Sequence, residues 1–368
     1  MIDKFPYVRN VNFPHRYISP EKLFIYLREN FSDGIQEIGR SVLGKPIYCF
    51  SIGKGNINVA AWSQMHGNES TATLAMLDFL STILEAPYLS NELFEKIHLD
   101  FIFMLNPDGA EKWTRRNALE IDLNRDFLKS SSPEINVLKN FILKKKYDYA
   151  LNLHDQRTIF TTDGSTPATL SFLSPSEDEE RTLTENRKKS MAVIGKIYEY
   201  LEQEIPNQIG RYTDEFYPTS VGDNFMKAGI PTLLFEGGHF PDDYIRVGTR
   251  KYYTYAFYLA LKAMTELKGK IDFYKTYNEI PENKATHCDL IYRNVQLPIS
   301  FDCEVDIAVQ YQECYEGDSE ISFVPYIIEI GDCSKRKAWK EIDCKDKKII
   351  FSDNCFPKIN EKVNFEVK

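Results

Sequence analysis

The chain has 368 residues, 43% apolar and 27% charged, an ordinary globular balance that gives no compositional case for disorder or a fibre. Its 45 Lys and Arg against 54 Asp and Glu leave a net charge of −9, the wrong sign for a surface that gathers a phosphate backbone, so no nucleic-acid partner is expected. No stretch reaches the roughly 18 apolar residues of a membrane span, and Met-Ile-Asp-Lys-Phe-Pro-Tyr lacks the apolar core of a secretory leader. A cytoplasmic protein with no membrane association is the expectation.

From residue 20 to about 265, strand-like and helix-like stretches alternate, which predicts βα units on a parallel or mixed sheet. Ser19-Pro20-Glu21 opens a helix with Ser at the N-cap and Pro at the first helical position. The strand-like Val59 to Trp62 leads to His66-Gly67-Asn68-Glu69, and a helix is expected to begin at Glu69, placing His66 and Glu69 on one turn. Leu99 to Leu105 leads to Asn106-Pro107-Asp108-Gly109, by itself a good turn. Ser132-Pro133-Glu134 opens another helix, Tyr149 to Leu153 runs into His154, and Met191, Ile194, Tyr198 and Leu201 mark the buried face of a third helix. Thr232 to Phe235 then runs into Glu236.

After Gly269 the composition changes. Residues 271–368 carry short β-rich runs, among them Ile307 to Val309, Phe323 to Ile330 and Lys348 to Phe351, separated by Gly, Asp, Asn and Pro. Two domains are predicted: residues 1–270, and a small β-sandwich or barrel over 271–368. Cys49 lies in the first; Cys288, Cys303, Cys314, Cys333, Cys344 and Cys355 lie in the second, none in Cys-x-x-Cys spacing, and reduced thiols are expected.

In an open α/β sheet, ligands bind beyond the carboxyl ends of the strands, so polar groups that each follow an apolar strand can converge although distant in sequence. A catalytic zinc takes three protein ligands and keeps one position open. His66, Glu69 and His154 supply such a set, for one ion per chain. An isolated His-x-x-Glu arises often by chance, and a lone His at a strand end is ordinarily a satisfied polar group; the combination lifts both above that. His15, His98 and His287 lack partners at ligand spacing and read as surface or core residues, and His239 is given no role. A carboxylate following Thr-Leu-Leu-Phe would be costly if buried alone, so Glu236 must face a cavity, a metal or a cation.

Taken together, His66-Gly-Asn-Glu69, Asn106-Pro-Asp-Gly109, Arg115-Arg-Asn117, Asp122-Leu-Asn-Arg125, His154 and Phe235-Glu236 resemble the zinc metallocarboxypeptidases of the carboxypeptidase A/B type, in that family's order, over roughly residues 20–265. The resemblance implies a three-layer α/β/α fold with a central mixed eight-stranded sheet and zinc held by His66, Glu69 and His154. It implies removal of a carboxy-terminal amino acid through a zinc-bound water activated by Glu236. Arg125 beside Asn124 would grip the terminal carboxylate, Arg115 would face the scissile carbonyl oxygen, Tyr217 would close over substrate, and Arg116 is structural.

The spacing from His66 to His154 is shorter than in digestive members, which suggests a compact bacterial or cytosolic-type branch. Asp155-Gln156 stands where digestive members have a substrate-contacting serine, and the stretch after Tyr217 is also shorter. The alternative is an N-acyl amino acid amidohydrolase of the related succinylglutamate desuccinylase and aspartoacylase branch, which shares the His-x-x-Glu, the later His and the Glu base. The expected substrate is therefore a peptide or an N-acyl amino acid.

Overall fold

The computed structural model describes residues 5–299, 302–317, 320–352 and 356–368. In chain order the strands are β1 (Ile35–Arg40), β2 (Pro46–Ile52), β3 (Ile57–Trp62), β4 (Ile97–Phe103), β5 (Tyr149–Asp155), β6 (Phe160–Thr161), β7 (Leu170–Leu173), β8 (Ile209–Arg211), β9 (Thr232–Gly237), β10 (Lys284–Ala285), β11 (His287–Gln296), β12 (Glu304–Tyr315), β13 (Ile321–Gly331), β14 (Lys337–Asp343), β15 (Ile349–Phe351) and β16 (Phe365–Val367). The helices are α1 (Pro20–Asn30), α2 (Thr71–Glu85), α3 (Pro87–Phe94), α4 (Pro107–Lys112), α5 (Pro133–Ile142), α6 (Glu185–Glu204), α7 (Val221–Lys227) and α8 (Val247–Leu267).

Eight strands form one mixed sheet in the order β1-β2-β4-β3-β5-β9-β7-β8. Its centre, β4-β3-β5-β9, is parallel, while β2 joins β4 and β7 joins β9 antiparallel. The two-residue period of a strand explains the layering. Val59 and Ala61 of β3 enter an apolar cluster with α2, α3, α6 and α8, whereas Ala60 and Trp62 enter a second cluster with α5 and α7. Both faces are therefore covered by helices, giving the expected three-layer α/β/α arrangement.

Local signals mostly act as anticipated. The Ser19 side chain accepts from Lys22 N–H at the start of α1, and α6 buries Met191, Ile194 and Leu201. Ser132 does stand at the N-cap of α5, but its hydroxyl donates to Asp126 at 2.7 Å instead of capping the helix. Asn106-Pro107-Asp108-Gly109 is more than a turn: it starts α4, with the Asn106 side chain accepting from Gly109 N–H.

Beyond Leu267 the described residues contain no α-helix. The chain forms a four-stranded sheet, β13-β12-β11-β14, and a two-stranded ribbon, β15-β16. Leu290, Val295, Ile307, Val309 and Ile327 of the sheet share an apolar cluster with Phe365, Ile349 and Phe351 of the ribbon, so the region is built in two β layers. The six described cysteines are free, and Cys355 lies outside the described residues. Among the described residues no helix is long and apolar enough to cross a membrane.

Candidate metal centre

β3 ends at Trp62, and the chain then bends through Gln64, which adopts φ 46° and ties the loop by donating from Nε2 to Gly67 O at 2.9 Å. A turn follows, closed by Glu69 N–H to His66 O at 3.1 Å. The expectation that a helix begins at Glu69 is corrected here: α2 starts at Thr71, so His66 and Glu69 face each other across a turn and not along a helical face. The turn needs its glycine because a Cβ at Gly67 would lie 2.1 Å from the Gly109 carbonyl carbon. The His66 loop and the start of α4 are thereby pressed together.

His66, Glu69 and His154 are all buried, and their ligand atoms lie within 4.8 Å of one another. His66 Nδ1 stands 2.8 Å from Glu69 Oε1, His154 Nδ1 stands 2.8 Å from Glu69 Oε2, and the two Nδ1 atoms are 3.2 Å apart. Ligand atoms about 2.0–2.1 Å from a tetrahedral ion are separated by roughly 3.3 Å, so a few tenths of an ångström of spreading fits this set to zinc. The chemistry fits as well, because two imidazoles and a carboxylate leave a fourth position open.

Asp122 completes the arrangement, and sequence reasoning gave it no role. Its Oδ1 lies 3.1 Å from His66 Nε2, which places the ring proton there and leaves the Nδ1 lone pair for a metal. Burial alone would raise the Asp122 carboxyl, yet His66 and Arg115 outweigh it and hold it well below the usual carboxylate range. Burial lowers both imidazoles, but Glu69 and Asp122 reverse this at His66, which is raised, while His154 remains lowered. Asp122→Asn should therefore weaken metal binding about 10–100-fold, read by competition with a chelator. Unchanged affinity would remove Asp122 from the site.

β5 and β9 are neighbours in register, and His154 pairs directly with Glu236. This places a second carboxylate beside the trio. Glu236 Oε2 is buried without a hydrogen-bond partner among the described residues. Its own burial, together with Glu69 and Asp155, raises its pKa well above the ordinary value, against the pull of Arg115 and Arg246. The requirement for a cavity, a metal or a cation at this position is met.

A cavity of about 360 Å³ brings the remaining sequence-predicted residues to the same place, its lining including Arg115, Asn124, Arg125, Tyr217 and Glu236 along with the trio. Arg115 is half exposed, 3.2 Å from Glu69 and 3.1 Å from Asp122. Asn124 Oδ1 accepts from Val221 N–H at 3.1 Å, fixing the segment that carries Arg125. The Arg125 guanidinium lies 5.2 Å from the Tyr217 ring centre, and Tyr217 is 44% exposed at the rim.

The Asp155 side chain is engaged within the fold: its Oδ2 accepts from Thr71 N–H and Oγ1, and its Oδ1 is 3.5 Å from Arg246. Gln156 accepts from Tyr212 at 2.8 Å and from Asn283 at 3.1 Å. Neither Arg246 nor Tyr212 carries a sequence signal that would have marked it.

The zinc carboxypeptidase family model matches residues 27–284. Carboxypeptidase SOL1 of Arabidopsis thaliana is 26% identical over 152 residues, covering 36% of this chain and 31% of that protein. The chain spans about a third of the length of the curated relatives it matches, 34% and 31%. Among solved structures, carboxypeptidase A of Helicoverpa armigera superposes with a TM-score of 0.56 at 16% identity, covering 70% of this chain and 74% of the other. A metallo-carboxypeptidase of Burkholderia cenocepacia superposes with a TM-score of 0.53 at 15% identity, covering 67% and 69%. These likenesses share the fold. With the family match spanning most of its length and the buried trio at the ends of β3 and β5, this chain belongs to the zinc carboxypeptidase family.

Proposed function

We propose that this chain is a zinc-dependent carboxypeptidase that hydrolyses the last peptide bond of a peptide, with His66, Glu69 and His154 as the metal ligands. The carrying observation is a single cavity that holds the trio, a Glu236 whose buried Oε2 has no hydrogen-bond partner among the described residues, and Arg125, whose guanidinium donates, among those residues, only to its neighbour's backbone, Asn124 O, at 2.8 Å. Bound zinc lowers the pKa of water to about 7 and polarises a carbonyl oxygen. Glu236 takes a proton from the attacking water and hands it to the leaving amine, a task suited to a carboxyl whose pKa is raised. Arg115 supports the charge that develops on the carbonyl oxygen. The Arg125 fork matches the two oxygens of a terminal carboxylate, Asn124 holds that segment in place, and Tyr217 covers it from the rim.

The family match supports this reading over an N-acyl amino acid amidohydrolase. We also divide the chain into a catalytic unit over residues 1–270 and a β-rich unit over 271–368, a division supported by the change from mixed α/β to all-β structure. A cytoplasmic setting belongs to the same reading and is supported by six free thiols.

The test is release of the terminal amino acid from tripeptides and longer chains by zinc-loaded protein, compared with turnover of N-acyl amino acids. Arg125→Ala should raise KM for free-carboxylate peptides at least about tenfold, with little effect on amidated ones. Equal loss on both would take Arg125 out of terminal recognition.

A further inference from the structure

The sheet that carries β12 is fastened to the loops of the metal centre. Arg16 pairs with Glu313 of β12 at 2.6 and 3.1 Å, and Trp113 donates from Nε1 to the same carboxylate at 3.3 Å. Gln310 donates to Thr158 Oγ1 at 2.9 Å, Trp339 donates to Thr158 O at 2.8 Å, and Tyr17 stacks on Tyr315 with ring centres 3.8 Å apart. Trp113 precedes Arg115 by two residues and Thr158 follows His154 by four, so these contacts grip the segments that carry the site.

Between β12 and the trio lies a second cavity, of about 590 Å³. Gln310, Gln312 and Glu313 form its far wall, and it shares Glu69, Arg115, Asp155, Gln156 and Arg157 with the cavity that holds Arg125. The two cavities therefore adjoin at the metal centre. A peptide whose end is held at Arg125 and whose last bond lies at the trio must continue into this second cavity.

Its charges are unequally engaged. Arg16 pairs with Glu313, Arg246 faces Asp155, and Arg115 faces Glu69 and Asp122. Arg157 is exposed and has no ion-pair partner among the described residues. A second cationic donor is unpartnered: Arg16 Nε, on a side chain only 4% exposed, is buried without a hydrogen-bond partner among the described residues, and Arg16 lines the cavity. Of the lining carboxylates, Glu313 is paired with Arg16, Asp155 lies 3.5 Å from Arg246, and Glu69 belongs to the trio.

We propose that this second cavity is the subsite for the acyl side of the substrate, that β12 is its far wall, and that it takes an acidic residue just upstream of the scissile bond, read by Arg157. The proposal rests on the carboxypeptidase reading above. It makes the β-rich region a part of substrate selection.

The test uses the full-length, zinc-loaded chain carrying Glu236→Gln, so that peptides bind without being cleaved. Acetyl-Ala-Glu-Ala, acetyl-Ala-Gln-Ala and acetyl-Ala-Lys-Ala, with acetyl-Ala-Ala-Glu and acetyl-Ala-Ala-Lys to vary the last residue, are titrated by calorimetry. The Glu peptide should bind about tenfold tighter than the Lys peptide, with Gln between, and the gap should narrow in high salt. Arg157→Glu should reverse the order. Gln312→Glu, at an exposed strand position, should reduce the Glu-over-Lys ratio several-fold without altering sensitivity to the charge of the last residue. Equal binding of the Glu and Lys peptides would overturn the proposal. So would an Arg157→Glu effect that follows the charge of the last residue, or a ratio unmoved by Gln312→Glu. Absence of peptide turnover in the unsubstituted enzyme would sink the proposed function, while these binding ratios would still decide the subsite.

Discussion

Glu236→Gln should retain zinc at the unsubstituted stoichiometry and lose turnover by about 10²–10⁴-fold, mostly in kcat. The substitution preserves volume and the β9 backbone, which pairs with β5 through the His154–Glu236 register, so ligand geometry is expected to persist. What it removes is a group that can accept and return a proton. Glu236 suits that task because burial, Glu69 and Asp155 all favour its protonated form, while Arg115 and Arg246 oppose them. An amide has no such equilibrium. The decisive comparison is metal content by atomic absorption against steady-state rates on one peptide; a variant with full zinc and full rate would exclude Glu236 from proton transfer.

Chelation, or His154→Ala, should abolish activity and also lower the thermal unfolding midpoint. The three ligand side chains are buried, and their donor atoms crowd to 2.8–3.2 Å. An ion bound only by the folded form stabilises it by about 1.4 kcal/mol for every tenfold excess over its Kd. In the metal-free protein, burial pushes the Glu69 carboxyl up, but His66 and His154 outweigh it and hold it well below the ordinary range. A depressed carboxylate stabilises the fold above its unfolded pKa, and that contribution is lost as pH falls toward the folded value. The midpoint of the chelated protein should therefore fall on acidification through the carboxylate range, and metal affinity should fall with it as the ligands take up protons. Thermal unfolding with and without zinc at several pH values checks both; a midpoint indifferent to zinc would mean that the trio does not share an ion.

His66, Glu69, His154 and Glu236 are legible in the sequence because several polar groups that follow short apolar runs occur together and in the order of the family they resemble; each alone would read as an ordinary strand-end polar group. The Asn106 and Asp122 segments are equally visible, but their roles are not. Asp122 matters because it meets His66 Nε2 from 56 positions away, a contact without a local signature. The helix expected at Glu69 starts later. Gly67, packed against Gly109, and Asn68 are weak helix formers, so Glu69 sits in a turn closed onto His66, and α2 begins only after Ser70 at the N-cap position. At Ser132 the N-cap signal is correct, while the hydroxyl is taken by Asp126.

The sequence alone determined the alternating α/β character of the first part, the β-rich character of the tail and the candidate metal trio, because alternation, helix starts and strand-end polar groups are short-range patterns, while the layered fold was implied by the family resemblance. Tertiary structure decided what stands beside what: His154 next to Glu236, Asp122 behind His66, and β12 across a cavity from the trio. Register between β5 and β9 and the packing of β12 on Arg16, Trp113 and Thr158 depend on pairings over some 80 to 300 positions of chain. Those pairings are chosen by the packing of the whole molecule, and no local period encodes them.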